Sequence, residues 1–203
     1  MGRTLNLTIP LQEKDVRDLQ LNDVVYLSGS IYIMMFQNQF SRFLQALDKG
    51  DTSDVDLRDG VLYHTGTIYH KNSDGSLDFR GIGATTSMKF NDVTPEIIKK
   101  AGVRAIIGKG GMDDKVLNTM KECGCVYLSV VGGCSAIYTP KVIGIEKEIW
   151  PQKSWSKNVL KIKVDHFGPM FVAMDAHGHS VFDEVKKTAE ENKDKIFQAL
   201  AIR

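Results

Sequence analysis

Cysteine is nearly missing from this sequence: 203 residues hold only Cys123, Cys125 and Cys134. So small and odd a number argues against a disulfide framework. Three thiolates could in principle serve a metal cluster, but Cys125 opens the apolar run "CVYLSVV", where strand alternation puts it on a buried face. Cysteine is among the most buried residue types, so core cysteines are expected and no metal ligands are assigned. Excess charge is missing as well. A formal net charge of +1 excludes strong non-specific attraction to nucleic acid or anionic membrane, and no basic block carries interleaved aromatics. No apolar run approaches the ~20 residues of a membrane span. The stretch "MGRTLNLTIPL" lacks the apolar centre of a signal peptide, so a cytoplasmic protein is expected. Proline is scarce, and no Pro/Gly/Ser linker divides the chain, so 1–203 is expected to be a single domain.

What is present has two rhythms. The N-terminal part reads as strands: "LNLTIPL", "DVVYLSGSIYI", "GVLYHTGTIYH" and "SLDFRGIG" mix β-branched and aromatic residues with glycine punctuation. "NSDGS" (72–76) reads as a hairpin loop between the last two. Phe40, Phe43, Leu44 and Leu47 recur at helical spacing before Gly50. From about residue 94 helices and strands alternate. "TPEIIKKAG" reads as a helix with a threonine N-cap and a glycine stop, "VRAIIGKGG" as a strand, "DDKVLNTMKECG" as an amphipathic helix and "CVYLSVVGG" as the next strand. "NVLKIKVDHFG" and "PMFVAMDAHG" read as two further strands. "VFDEVKKTAEENKDKIFQALAIR" reads as a long helix with Val181, Val185, Ile196 and Leu200 on one stripe. This is an α/β chain, a mixed sheet with flanking helices.

Several stretches could carry chemistry. "IIGKGGM" (106–112) ends an apolar run with a lysine held between glycines. Glycine lets another group approach the backbone closely, so Lys109 could meet an anion; a solvated lysine on an ordinary turn is the other reading. "GVRAIIGKG" is not a phosphate-binding P-loop, because Gly110 stands where Ser or Thr must meet magnesium. "RGIGATTS" has no third glycine opening a helix, so it is a poor dinucleotide fingerprint. In "GATTSMKF" (83–90) two adjacent hydroxyls, Thr85 and Thr86, follow a strand end. They could bond a carboxylate or take part in proton transfer, or cap local backbone. Asp165, His166, Asp175, His177 and His179 could gather around a metal, but turn chemistry before Gly178 explains the polar residues equally well.

Taken in order, "YLSGS", "YHTG", "GATTSMKF", "GVRAIIGKGGM", "GGCSA" and "FGPMFVAMDAHG" span nearly the whole chain. This series resembles the β subunit of class I, iron–sulfur-dependent hydro-lyases. That family includes fumarate hydratase and tartrate dehydratase, and the same module forms the C-terminal domain of single-chain fumarases. The strongest marks are Thr85-Thr86, then Lys109-Gly110-Gly111, and the Phe167-Gly168-Pro169 run leading to Asp175-x-His177-Gly178. The resemblance implies a swivelling β/β/α domain. It implies a [4Fe–4S] cluster held by a partner α subunit rather than by this chain, a small dicarboxylate substrate, and an oligomeric assembly. It implies Thr85 and Lys109 as catalytic residues, and Thr86, Lys89, Gly83 and Gly110 as substrate-binding ones.

There are departures. Where the family has Thr-Thr-x-x-Arg, this chain ends in Lys89, which keeps the charge without the bidentate fork. The family's Arg-Asp-x-x-His motif falls on Met35, Phe36 and Gln39, or on Gln37, Asn38 and Ser41 when shifted by two. Arg42 is the nearest guanidinium. Ala84 and Thr67 stand where the family has prolines. The expected function is therefore the β subunit of a hydro-lyase that reversibly hydrates fumarate or a related dicarboxylate. The alternative is a divergent, non-catalytic paralogue acting in binding or assembly.

Overall fold

The computed structural model describes residues 2–151 and 158–200. Its strands are β1 (Thr4–Thr8), β2 (Val24–Met34), β3 (Val61–Lys71), β4 (Leu77–Ala84), β5 (Ala105–Gly108), β6 (Val126–Ser129), β7 (Val142–Ile149) and β8 (Val159–Met174). The helices are α1 (Glu13–Asp18), α2 (Gln37–Asp48), α3 (Thr94–Ala101), α4 (Asp114–Cys123), the single-turn α5 (Ser135–Tyr138) and α6 (Val181–Ala199). All eight strands belong to one sheet, ordered β1-β2-β3-β5-β6-β8-β7, with β4 added on β3.

Strands β1, β2, β3, β5 and β6 run parallel, while β8 pairs antiparallel with β6, β2 and β7. Because β8 touches both β6 and β2, the pairings β2–β3–β5–β6–β8–β2 close a ring. Side chains alternate across a strand, and here the alternation sorts them into two cores. Val61, Tyr63, Ala105, Ile107, Val126 and Leu128 point into the ring with Leu27, Ile31, Ile162 and Phe167. Leu62, Ile106 and Tyr127 point outward and are covered by α2, α3 and α4 through Phe40, Phe43, Ile97, Ile98, Val116 and Met120.

The helices obey their local signals. Asp113 caps α4 by accepting from the Val116 amide at 3.0 Å, and Gly124 ends it at φ 68. Gly102 closes α3 in the same left-handed conformation, which glycine adopts at no steric cost. The expected threonine cap on α3 is replaced by Val93, with Thr94 inside the first turn; its hydroxyl donates to the Phe90 carbonyl at 2.7 Å instead. Two further expectations change. "NVLKIKVDHFG" and "PMFVAMDAHG" are one sixteen-residue strand, β8, whose pairing with β2 shifts register around Leu27. The stripe on α6 is not a core face: Val185, Ile196 and Leu200 are all exposed. Residues 201–203 of the expected helix lie outside the described residues. Strand β7, which no pattern announced, pairs on the outside of β8. The α/β architecture with a mixed sheet and flanking helices is as expected.

Candidate active site

Strands β5 and β6 run parallel and end side by side, and each is followed by a glycine turn. The carboxyl ends of parallel strands are where α/β sheets leave room for ligands. Lys109 immediately follows β5, with Gly110 at φ 82 and Gly111 at φ 71. Thr85 and Thr86 follow β4 on the other side of the same edge. Thr86 and Lys109 form a parallel bridge, and the Ser87 amide donates to the Lys109 carbonyl at 3.1 Å. The Thr85 amide donates to the carbonyl of His64 at 2.9 Å. The two hydroxyls and the lysine, separated in sequence, thus share one strand end.

Beside them lies a cavity of about 220 Å³ lined by Lys109, Gly83, Ile82, Val130, Ser135 and Tyr138, among others. Lys109 is half-buried and makes no ion pair among the described residues. Its stem crosses Gly132: a Cβ at that position would stand 3.3 Å from the Lys109 Cδ and 3.8 Å from its Nζ. Gly110 suits the turn through its left-handed backbone, φ 82, and an added Cβ there would make only ordinary contact with the Thr86 Cγ2 at 3.6 Å. Tyr63 lines the cavity with Tyr138, and both are backed by the Phe167-Gly168-Pro169 run. Phe167 packs against Tyr63 and Tyr138, and Tyr138 donates to the Pro169 carbonyl at 3.0 Å.

Of the six residues singled out from the sequence, Gly83 and Lys109 line the cavity, and Thr85, Thr86 and Gly110 adjoin it through the bridge. Lys89 does not join them; it sits exposed in a 3-10 turn, Ser87–Phe90, with no ion pair among the described residues. Arg42 is elsewhere, stacked over the Trp150 ring at 4.5 Å beside a separate cavity. Gln39 is a backbone clasp: its Oε1 accepts from the amides of Met35 and Phe36, and its Nε2 donates to the Asn158 carbonyl. Met35 lines a larger groove of about 690 Å³ with Ile68, Arg80 and Pro140, which shares Ile82, Gly83 and Ser135 with the lysine cavity. Arg80, which opens the "RGIGATTS" stretch and was assigned no role from the sequence, reaches this groove through the pairing of β4 with β3.

The Asp175 cluster resolves as a turn. The Asp175 carboxylate accepts from the amides of His177 and His179, each at 2.9 Å, and lies 2.9 Å from the His179 Nδ1. His177 places its Nε2 2.8 Å from the Arg17 carbonyl. The cysteines do not fit a cluster on this chain either. Cys125 is fully buried, burial pushes its thiol well above the usual range, and Cys123 is raised by burial too. Among the described residues no three His, Cys, Asp or Glu converge as ligands.

A sequence profile of the family described as Fumarase C-terminus matches residues 2–185. The chain belongs to that family. It is 35% identical over 187 residues to a putative L(+)-tartrate dehydratase subunit beta of Methanocaldococcus jannaschii, covering 92% of this chain and 95% of that protein. The L(+)-tartrate dehydratase subunit beta of Escherichia coli is 28% identical over 194 residues, 96% of this chain and 94% of its own length. A putative fumarate hydratase class I of Geobacillus stearothermophilus is 31% identical over 199 residues; these are 96% of this chain but 37% of that larger protein. The matched span contains Thr85, Thr86 and Lys109.

Proposed function

We propose that the chain is the β subunit of an iron–sulfur-dependent hydro-lyase that reversibly adds water to fumarate or a related dicarboxylate, or removes it from tartrate, in complex with an α subunit. The observation that carries this reading is the bridge of Thr86 with Lys109 at the mouth of one cavity. In hydration, a hydroxyl joins one alkene carbon and a proton joins its neighbour; dehydration reverses both. The proton is acidic only because the adjacent carboxylate takes up negative charge as it leaves. A half-buried lysine beside that carboxylate stabilises the charge where it develops. Thr85, one residue from the bridge, is the group we assign to the carbon-bound proton. Thr86, Lys89, Gly83 and Gly110 are assigned to substrate binding, with Lys89 reaching the substrate only if its exposed turn is covered. The cluster is assigned to the α subunit, in keeping with a cysteine set that does not converge here. The intact complex is an oligomer, and its compartment is the cytoplasm.

The test is anaerobic co-expression with the α subunit, followed by assays with fumarate, mesaconate and tartrate. Turnover of at least one of them by the complex, and none by this chain alone, is expected. A complex that assembles with its cluster intact yet turns over none would favour a non-catalytic binding subunit.

A further inference from the structure

Directly beneath the Thr86–Lys109 bridge, three polar side chains meet in a space with no water-accessible surface. His64 lies on β3, Ser87 follows Thr86, and Tyr127 lies on β6; each is fully buried. The Tyr127 hydroxyl donates to the Ser87 Oγ at 2.9 Å, and the same Oγ lies 3.0 Å from the His64 Nδ1. Gly108 makes room for them. A Cβ there would fall 1.9 Å from the Ser87 Oγ and 2.9 Å from the Tyr127 hydroxyl oxygen.

The backbone ties this chain to the site. Ser87 donates its amide to the Lys109 carbonyl, and the His64 carbonyl accepts from Thr85. Both neighbours of Thr86 are thus fastened to His64, one through the main chain and one through the ring. Tyr127 adds the β6 end and interacts with the backbone of Gly111. Buried polar groups are costly unless paired, and an apolar filling would serve a core better.

The protons can be counted. The His64 Nε2 is the one buried side-chain nitrogen or oxygen without a partner among the described residues. It sits in a cage with Phe40, edge-on at 5.6 Å, and Phe90 at 4.8 Å between centroids. If Tyr127 donates to Ser87 and Ser87 donates to Nδ1, only the Nε2–H is left over, against aromatic rings. If Nδ1 carried the proton instead, a hydroxyl hydrogen and the Nε2 lone pair would both be stranded. The first arrangement leaves fewer groups unsatisfied.

We infer that Tyr127, Ser87 and His64 form a positioning relay, with His64 in the Nε2–H tautomer, that holds Thr85–Thr86 and Lys109 in reacting register. The inference rests on the hydro-lyase reading for its catalytic consequence and on geometry alone for its existence. Ser87 touches no substrate; it acts through the two residues it aligns. Small misplacements of reacting groups cost about a hundredfold in rate.

Two measurements test this. Long-range proton–nitrogen NMR on the full chain with labelled histidine should show His64 as the Nε2–H tautomer; an Nδ1–H tautomer overturns the relay. In the αβ complex, Ser87→Ala should lower kcat by about ten- to a hundredfold while KM stays within about threefold. The isosteric Tyr127→Phe, which deletes one buried hydroxyl, should do the same more weakly, and it stands in if Ser87→Ala fails to fold. Folded variants with kcat within about twofold of wild type overturn the positioning role, because a purely structural network would lower stability and not turnover per folded enzyme. If the wild-type complex has no hydro-lyase activity, the functional reading fails separately, and the tautomer still decides whether the relay exists.

Discussion

The Ser87 backbone N–H donates to the carbonyl of Lys109 at 3.1 Å. That bond joins the end of the β3–β4 hairpin to the turn after β5 and sets the lysine beside the two threonines. Neither half of the site is positioned by its own element alone.

Lys109→Met should therefore act on chemistry and not on the fold. The lysine is half-buried and has no ion pair among the described residues, so its loss should change stability by under about 0.5 kcal/mol. It should remove about 2–4 kcal/mol of transition-state stabilisation, the usual loss for a charged oxyanion contact. Thr85→Val should lower kcat more than it raises KM, since proton handling matters mainly in the transition state. Steady-state kinetics of the αβ complex, with thermal denaturation alongside, measure both.

Gly132 offers a second probe that leaves every proposed chemical group in place. An added Cβ would stand 3.3 Å from the Lys109 Cδ, so the lysine stem must shift. Gly132→Ala should cost about tenfold in kcat/KM with little change in melting temperature. Unaltered kinetics would mean that the position of the Lys109 stem does not matter to turnover.

The lysine in its glycine turn was legible in the sequence because glycine and charge are local signals, and so were the helix stops at Gly102 and Gly124. The β–α–β rhythm around α3 and α4 was legible through periodicity. The ring was not, because β2 and β8 are far apart in sequence and their pairing leaves no local mark. For the same reason nothing in the sequence links His64, Ser87 and Tyr127, which meet only because β3, β6 and the turn after β4 converge. The α6 stripe misled for a different reason: periodicity reports an apolar face but not what covers it, and Val185 and Leu200 lie in the open.

Asp175 separates a turn from a metal site. Its buried carboxylate accepts from two backbone amides and pairs with the His179 ring. Asp175→Ala should destabilise the chain by about 2–4 kcal/mol, read by urea denaturation. A chelator should leave the wild-type melting temperature unchanged. A large chelator effect would reopen the metal reading of His177 and His179.

His64 makes stability depend on pH in a direction that can be worked out. Complete burial pushes its pKa down to about 3 from the ordinary 6.5, because a charged ring would lose its water without gaining a partner. The folded state keeps the ring neutral at pH values where the unfolded chain already protonates it. Above about pH 6.5 both states are neutral and His64 contributes no slope. Below that value the unfolded chain binds a proton that the folded one refuses, so stability is lost as pH falls, until the folded pKa near 3 is reached. Each unit is worth about 1.4 kcal/mol, or about 3 kcal/mol between pH 6.5 and 4. Carboxylates add slopes of their own, so the measurement is a comparison: urea unfolding of wild type and His64→Gln over that range. The variant should lose markedly less stability on acidification. Parallel curves would mean that the ring is hydrated or paired in solution, and the buried Nε2 would then have a partner.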